Sequence, residues 1–189
     1  MSAATGLRPA VFLDRDGVIC ENREDYVKSW DEFVFLPGVV RAVADLTRAG
    51  HPVFVVTNQS AIGRGIVSPD DVEKIHALMR GALEAEGARI DDILICPHTP
   101  SDACGCRKPA PGLLTGAAAR HGIDLAGSWL VGDAASDCEA AASAGCGSVL
   151  VLTGRGRAQA SDTKPDFVAR DLPEATRWIV ARLSGNGGE

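Results

Sequence analysis

The sequence has few aromatic residues, no excess of positive charge and no long apolar run. Phe, Trp and Tyr make up 5% of its 189 residues, and this scarcity beside abundant Ala favours helices packed on a sheet of aliphatic side chains. The formal net charge is −6, which argues against nonspecific nucleic-acid binding because such binding needs a basic surface. No apolar segment approaches the roughly 18 residues of a membrane span. Neither nucleic acid nor a membrane is therefore an expected partner.

The first residues, MSAATGLRPAVFLD, have no charged start followed by a long apolar stretch. We therefore expect no secretion signal there. We therefore expect a cytoplasmic location, where thiols stay reduced. The six cysteines are then candidate metal ligands or core residues before they are candidates for disulfides.

The sequence does contain a regular alternation of strand and helix patterns. Its length suits one α/β domain with a proper core, so we predict a single domain over residues 1–189. Strands are predicted over 10–13, 52–56, 92–96, 129–132 and 148–152, and helices over 37–49, 68–86, 111–121, 134–144 and 173–183. Residues 184–189 are expected to fray. This alternation indicates a doubly wound, mostly parallel sheet, in which ligands bind beyond the carboxyl ends of the strands.

An acidic triplet follows the first predicted strand. Asp14 and Asp16 are two apart, so in an extended segment both carboxylates point to the same side. One could attack phosphorus and the other could protonate the leaving oxygen, and the pair suits Mg²⁺. Gly17 would let the chain turn away. A solvated acidic turn is the alternative reading.

Polar residues also follow the next strands. The segment 57–60, TNQS, could bind phosphate oxygens through a hydroxyl and backbone N–H groups. Lys108 could neutralise the attacking carboxylate and the phosphoryl group, and Arg107 could bind another part of a substrate. Asp133 could complete a Mg²⁺ site, while Asp137 could orient Lys108 or a metal-bound water. Taken singly, these residues also fit a polar turn, surface cations and a carboxylate at a helix N-terminus.

The segment CPHTPSDACGC carries the most specific local signal. Cys96, His98, Cys104 and Cys106 lie in eleven residues and can form a closed tetrahedral Zn²⁺ site. A site with four protein ligands has no open position, so this zinc would be structural and would fix the backbone just before Lys108. Free thiols or redox chemistry are the alternatives.

The other cysteines and histidines have no ligand pattern around them. We expect packing roles for the cysteines and positions at the surface or at helix ends for the histidines, which are Cys20, Cys138 and Cys146, and His51, His76 and His121.

Taken together, four motifs in this order resemble those of the haloacid dehalogenase superfamily of phosphatases. They are DRDGV from Asp14, TNQS from Thr57, RKP around Lys108 and GDAASD around Asp133. Within the superfamily, the chain is similar to the small zinc-containing heptose-bisphosphate and histidinol-phosphate phosphatases. The resemblance extends from about Val11 to Gly154.

The resemblance implies a role for each matching residue. Asp14 would be the nucleophile that forms an aspartyl-phosphate, and Asp16 would be the general acid and then the base. Both, Asp16 through its backbone carbonyl, would hold Mg²⁺ together with Asp133. Thr57 and Lys108 would stabilise the phosphoryl group. The residues implied in substrate binding are Asn22, Arg23, Glu24, Asp25, Asn58, Gln59, Ser60 and Arg107.

The implied activity is removal of the 7-phosphate of a heptose 1,7-bisphosphate by a monomeric enzyme. Histidinol-phosphate hydrolysis is the alternative, since an acidic cluster around Glu24 could bind its amine. A non-catalytic zinc-stabilised domain is less favoured, because such a domain would usually lack one of the groups essential for catalysis. All four are present here, namely Asp14, Asp16, Lys108 and Asp133. Ala134 stands where some heptose enzymes carry a substrate-contacting lysine. The intervals between motifs leave no room for a cap domain, so we expect an open site rimmed by a flap, residues 20–36, and the zinc loop.

Overall fold

The computed structural model describes residues 6–185, in which six strands form one parallel sheet. In chain order the strands are β1 (Val11–Leu13), β2 (Val53–Asn58), β3 (Asp92–Cys96), β4 (Trp129–Gly132), β5 (Gly147–Val151) and β6 (Phe167–Ala169). Their spatial order is β3-β2-β1-β4-β5-β6. The connections run outward in both directions from β1, which makes the sheet doubly wound.

Seven α-helices lie within the described residues. They are α1 (Val39–Arg48), α2 (Ser60–Gly63), α3 (Pro69–Glu84), α4 (Gly112–His121), α5 (Ala135–Ala144), α6 (Gly156–Gln159) and α7 (Leu172–Gly185). Ser68 caps α3 by accepting a hydrogen bond from the Asp71 backbone N–H at 3.1 Å. None of the helices described over residues 6–185 is long and apolar enough to cross a membrane.

Two hydrophobic layers cover the sheet. Val11 and Leu13 face one layer, which includes side chains of α1, α3 and α7, whereas Phe12 between them faces α4 and α5. Because both faces are covered, the central strands are apolar almost without interruption, and five of the six residues of β2 are buried.

The predicted doubly wound α/β fold is confirmed. Each of the five predicted strands and five predicted helices is present, with ends that differ by at most two residues. Among the described strands and α-helices, three were missed: β6, which is three residues long, and the single-turn helices α2 and α6. Two short 3₁₀ helices, Trp30–Glu32 and Pro100–Asp102, were also not predicted. The end that was predicted to fray is described only to Gly185, within α7, and residues 186–189 lie outside the described range.

The intervals between the motifs contain no inserted domain. Residues 20–36 form the flap, which is tied at its base by an antiparallel bridge between Cys20 and Phe35. Trp30 stacks on Phe33 inside the flap, with ring centroids 5.0 Å apart. The flap follows β1 and the loop that begins at residue 97 follows β3, so both start at the carboxyl ends of strands.

Candidate active site

A pocket of ≈ 440 Å³ lies at the carboxyl ends of the strands. It sits where the strand order reverses, with β1 between β2 and β4, which is the usual ligand position in such sheets. Its lining includes Asp14, Arg15, Asp16, Asn22, Arg23, Glu24, Thr57, Asn58, Gln59, Ser60, Arg107, Lys108, Asp133 and Asp137. Four motifs that are distant in sequence therefore meet in one pocket.

Lys108 occupies the centre of this pocket and is only 4% exposed. Its Nζ lies 3.0 Å from Asp14 Oδ1 and 2.6 Å from Asp137 Oδ1, and it donates to the Val56 carbonyl oxygen at 2.8 Å. Nζ thus has two carboxylate oxygens and one carbonyl oxygen within 3.0 Å. The buried cation is thus fixed beside Asp14.

The electrostatics of the pocket depend on burial. Burial raises the pKa of Asp14 to about 7; Lys108 opposes that rise, and Asp137, Asp133 and Asp16 add to it. Burial likewise raises the pKa of Asp133 to about 6, although the Arg155 backbone N–H bonds to its carboxylate. Burial alone would lower the pKa of Lys108, but its two carboxylate partners raise it above the ordinary value. The three carboxylates Asp14, Asp133 and Asp137 around the single cation Lys108 therefore form a locally negative cluster that a further cation would stabilise.

Three carboxylates could supply that cation site. Oxygen atoms of Asp14, Asp133 and Asp137 lie within 4.8 Å of one another. A Cβ atom at Gly17 or at Gly154 would lie 2.1 Å from Asp133 Oδ2, so the two glycines leave room for this carboxylate. A set of hard oxygen donors of this kind fits Mg²⁺.

Asp16 is held from two sides. Arg15 Nη2 donates to both of its carboxylate oxygens, at 2.9 and 3.0 Å, and Gln59 Nε2 donates to Oδ2 at 2.8 Å. Gln59 also donates to Thr57 Oγ1 at 2.8 Å. Arg15 was not identified from the sequence as a site residue, because nothing in the pattern indicates that its guanidinium is buried.

Asn58 connects the second motif to the third. Its amide donates to the Lys108 carbonyl oxygen at 3.0 Å and accepts from the Lys108 backbone N–H at 3.1 Å. Asn58 and Gln59 both line the pocket as predicted, but their side chains are already bonded to protein groups. The contacts of these two residues with a substrate remain a prediction.

Beyond β3, the four predicted zinc ligands converge. Their sulfur atoms lie 3.3–3.6 Å from one another, and His98 Nδ1 lies 3.6 Å from Cys96 Sγ and 3.3 Å from Cys106 Sγ. Ligands at ordinary Zn–S and Zn–N bond lengths would lie about 3.6–3.8 Å apart at the corners of a tetrahedron. The arrangement fits Zn²⁺ bound through three sulfurs and one nitrogen.

The loop that carries these ligands also carries the cations. Arg107 follows Cys106 directly and donates from Nη1 to the His98 carbonyl oxygen at 3.1 Å. The four-ligand cluster and Lys108 thus share one short segment, and the position of the lysine depends on that of the cluster.

Only some of the residues predicted to bind substrate from the flap line the pocket. Asn22, Arg23 and Glu24 line the pocket, but Asp25 is not among the lining residues. Its side chain is 62% exposed and lies 2.7 Å from Lys28 Nζ. The sequence interpretation missed four further polar lining residues, which are Tyr26, Arg64, Ser136 and Arg155. Arg155 follows β5 at the carboxyl edge of the sheet, and this position in the sequence could have indicated it as a site residue.

One histidine was misplaced by the sequence interpretation. His76 was expected at the surface or at a helix end, but it lies within α3 and is 7% exposed. The prediction failed because the buried partner of this ring, Arg15, was not recognised. His121 does end α4. Cys20, Cys138 and Cys146 are buried packing residues, as expected.

Comparison with known proteins is consistent with this fold and pocket. A family model described as HAD-hydrolase-like matches residues 105–175. The class that the fold and the carboxylate pocket define is therefore that of the haloacid dehalogenase-like hydrolases, and the chain is a phosphatase.

The most informative relatives are bacterial heptose phosphatases. The D-glycero-beta-D-manno-heptose-1,7-bisphosphate 7-phosphatase of Bordetella bronchiseptica is 44% identical over 167 residues, which are 88% of this chain and 89% of that protein. The enzyme of that name from Pseudomonas aeruginosa is 44% identical over 149 residues, 79% of this chain and 84% of that protein. The chain belongs to this D-glycero-beta-D-manno-heptose-1,7-bisphosphate 7-phosphatase family.

Solved structures agree with this assignment. The D,D-heptose 1,7-bisphosphate phosphatase of B. bronchiseptica, complexed with magnesium and phosphate, has a TM-score of 0.88 at 40% identity and covers 92% of this chain and 99% of its own. The corresponding enzyme of Burkholderia thailandensis has a TM-score of 0.72 at 33% identity, with coverage of 92% and 99%.

Proposed function

We propose that this chain hydrolyses the 7-phosphate of D-glycero-D-manno-heptose 1,7-bisphosphate through an aspartyl-phosphate on Asp14. The observation that carries the proposal is the buried contact of 3.0 Å between Asp14 Oδ1 and Lys108 Nζ. The cation lies where it can offset charge both on the attacking carboxylate and on the transferred phosphoryl group. The relatives named above support the substrate.

In the first half-reaction, an Asp14 carboxylate oxygen attacks phosphorus and the bond from phosphorus to the sugar oxygen breaks. Asp16 gives its proton to the departing oxygen, so the sugar leaves as an alcohol. Lys108 and the Thr57 hydroxyl stabilise the phosphoryl oxygens. The placement of all four side chains in one pocket supports this division of roles.

In the second half-reaction, water attacks the phosphorus of the aspartyl-phosphate. Asp16, now ionised, takes a proton from that water, and the bond from phosphorus to the Asp14 oxygen breaks. The products are inorganic phosphate and a regenerated carboxylate. Over both halves, one ester and one water give one alcohol and one phosphate.

Two metals complete the proposal. Asp14, Asp133 and the Asp16 backbone carbonyl would hold Mg²⁺, with Asp137 close enough to orient Lys108 or a metal-bound water. When bound, Mg²⁺ neutralises the charge of the carboxylates and of the phosphoryl group. Cys96, His98, Cys104 and Cys106 would hold a structural Zn²⁺. The metal-bound structure of the B. bronchiseptica enzyme supports magnesium.

The charge of the rim favours a bisphosphate over histidinol phosphate. Arg64, Arg107 and Arg155 line the pocket beside Glu24 and Arg23, and guanidinium groups suit a second phosphate. Arg23 is paired with Asp25 at 3.1 Å, so the other three arginines are the better candidates. Of the acidic cluster that could bind an amine, Asp25 is already paired with Lys28. We infer that the arginines contact the phosphate that is retained.

A substrate panel at fixed Mg²⁺ tests the proposal. We expect kcat/KM to be higher on the heptose 1,7-bisphosphate than on histidinol phosphate by about 10²-fold or more, since the site's polar groups stay unpaired with the wrong substrate. Phosphorus NMR of the product should show the 1-phosphate retained. A higher kcat/KM on histidinol phosphate would overturn the substrate assignment.

We further propose that residues 1–189 form one domain that acts as a monomer in the cytoplasm. One sheet that contains all six described strands supports a single domain. The six free cysteines, four of them in the proposed zinc site, suit a reducing compartment. Light scattering during gel filtration would test the monomer, because a mass of twice 19.7 kDa would contradict it.

A further inference from the structure

Arg15 is a buried cation that the reaction described above does not use. It is 1% exposed. Its guanidinium contacts Asp16 after β1, Gln59 after β2 and His76 in α3. Burying a charge is costly unless it is paired and hydrogen-bonded. The residues that pair with Arg15 offset this cost and indicate the role of the buried guanidinium.

The first partner is the carboxylate of Asp16. Arg15 reaches it with two nitrogens: Nη2 lies 2.9 and 3.0 Å from the two oxygens, and Nε lies 3.3 Å from Oδ1. Gln59 accepts from Arg15 Nη2 at 3.0 Å and donates to Asp16 Oδ2 at 2.8 Å. Both carboxylate oxygens are thus fixed, while 24% of the side chain stays open to the pocket.

The second partner is His76 of α3. Arg15 Nη1 lies 3.1 Å from His76 Nε2. A guanidinium nitrogen can only donate, so Nε2 must be the acceptor and the ring must carry its proton on Nδ1. Burial and the charge of Arg15 lower the pKa of His76 to about 3, so the ring stays neutral. His76 therefore holds the far side of the guanidinium as an uncharged acceptor.

We propose that Arg15, supported by His76 and Gln59, is a positioning residue that holds Asp16 in the orientation from which it protonates the leaving oxygen. This inference rests on the proposed role of Asp16 as general acid. Arg15 contacts neither phosphate nor sugar in this scheme. Its effect on the reaction passes through Asp16 alone.

The dependence on the leaving group distinguishes this role from a purely structural one. A sugar alkoxide needs a proton in order to leave, whereas the more acidic p-nitrophenol needs little assistance. Because kcat/KM reports the steps up to transfer of the phosphoryl group, loss of the acid should lower it for the sugar phosphate and spare p-nitrophenyl phosphate. Asp16→Asn gives the reference ratio for a missing acid, on the order of 10²-fold or more.

We expect Arg15→Met to lower kcat/KM on the sugar phosphate by on the order of 10- to 100-fold and to change it by less than about threefold on p-nitrophenyl phosphate. His76→Leu removes the acceptor and should show the same selectivity to a smaller extent. His76→Gln keeps an acceptor at a similar reach and should restore most of the rate. This milder pair tests the inference even if Arg15→Met does not fold.

Met79→Ala is the matched control. Met79 is fully buried in α3 and packs in the hydrophobic layer that includes α1 and α7, so its truncation should cause any loss of rate equally on both substrates. Equal losses on both substrates for the Arg15 and His76 variants, with a selective loss for Asp16→Asn, would overturn the inference and leave the proposed mechanism intact. An unselective loss for Asp16→Asn would instead refute the general acid, and the inference with it.

Discussion

At the scale of single residues, Lys108 is fixed both by its side chain and by its backbone. Its Nζ lies within 3.0 Å of Asp14, of Asp137 and of a carbonyl oxygen of β2, so it acts as a fixed charge. Asn58 holds its backbone from both sides. In the proposed mechanism, Lys108 is therefore a stationary charge beside the carboxylate of Asp14, which is the group that reacts.

Asp14→Asn should abolish phosphate release, by more than about 10⁴-fold, because the nucleophilic oxygen is lost. The fold should persist. The pKa of Asp14 is raised by burial, so its ionisation opposes folding above about pH 7, and a neutral amide removes that effect. We expect a Tm at pH 8 at or above that of the parent, whereas near-parental phosphate release would refute the nucleophile. Asp70→Asn, on the exposed face of α3, is the control.

His76 should make the protein sensitive to acid. Its pKa is about 3 in the fold and about 6.5 when unfolded, so between these values the unfolded chain binds the extra proton. Stability is therefore lost as the pH falls below 6.5. Urea unfolding of His76→Gln should lose about 2 kcal/mol less than the parent between pH 7.5 and pH 5. Met79→Ala should keep the parental pH dependence, and an unchanged dependence in His76→Gln would show that the ring protonates in the fold.

At the scale of elements, the loop between β3 and α4 combines two functions in one segment. It has a single turn of 3₁₀ helix, Pro100–Asp102, and no hydrophobic core of its own. Two residues of the proposed zinc site, Cys104 and Cys106, pack against the second hydrophobic layer. A metal that closes the loop would hold Lys108 in place more firmly than local packing could.

Cys104→Ser should release zinc and lower the Tm. We expect a cost of about 3 kcal/mol, or about 6–12 °C for a domain of this size, together with a lower kcat because Lys108 loses its support. Mass spectrometry should find zinc in the parent and not in the variant. Ser101→Ala in the same loop should keep both zinc and Tm. Full zinc content in Cys104→Ser would contradict the ligand assignment.

At the scale of the whole molecule, the sheet brings the carboxylates of Asp14, Asp133 and Asp137 together at one end. Removing divalent cations with EDTA should abolish activity, and Mg²⁺ should restore it. Mg²⁺ at about 100 times its Kd should raise the Tm by about 5–10 °C at pH 8. The rise should be smaller at pH 5, because the pKa values of Asp14 and Asp133, about 7 and about 6, favour their protonation. Recovery of activity with Zn²⁺ alone would contradict the assignment of Mg²⁺ to the carboxylate site and of Zn²⁺ to the cysteine site.

The sequence predicts this architecture well because periodicity and turn residues are local signals. The strand ends carry Asp14, Thr57 and Asp133, and parallel pairing alone brings them together. It predicts buried polar contacts poorly: Arg15 and His76 are 61 positions apart, and no spacing rule connects them. β6 was missed because a three-residue strand acquires its identity only by pairing with β5.

Gly154 belongs to none of the four motifs, yet the space beside it is filled by the carboxylate of Asp133. What this position contributes is room. An inherited change from glycine to alanine there would add only a methyl group and would alter no charged residue of the pocket. The resulting protein would keep its layers of aliphatic side chains and yet be inert, so a survey of the acidic and basic residues alone would mistake it for a working enzyme.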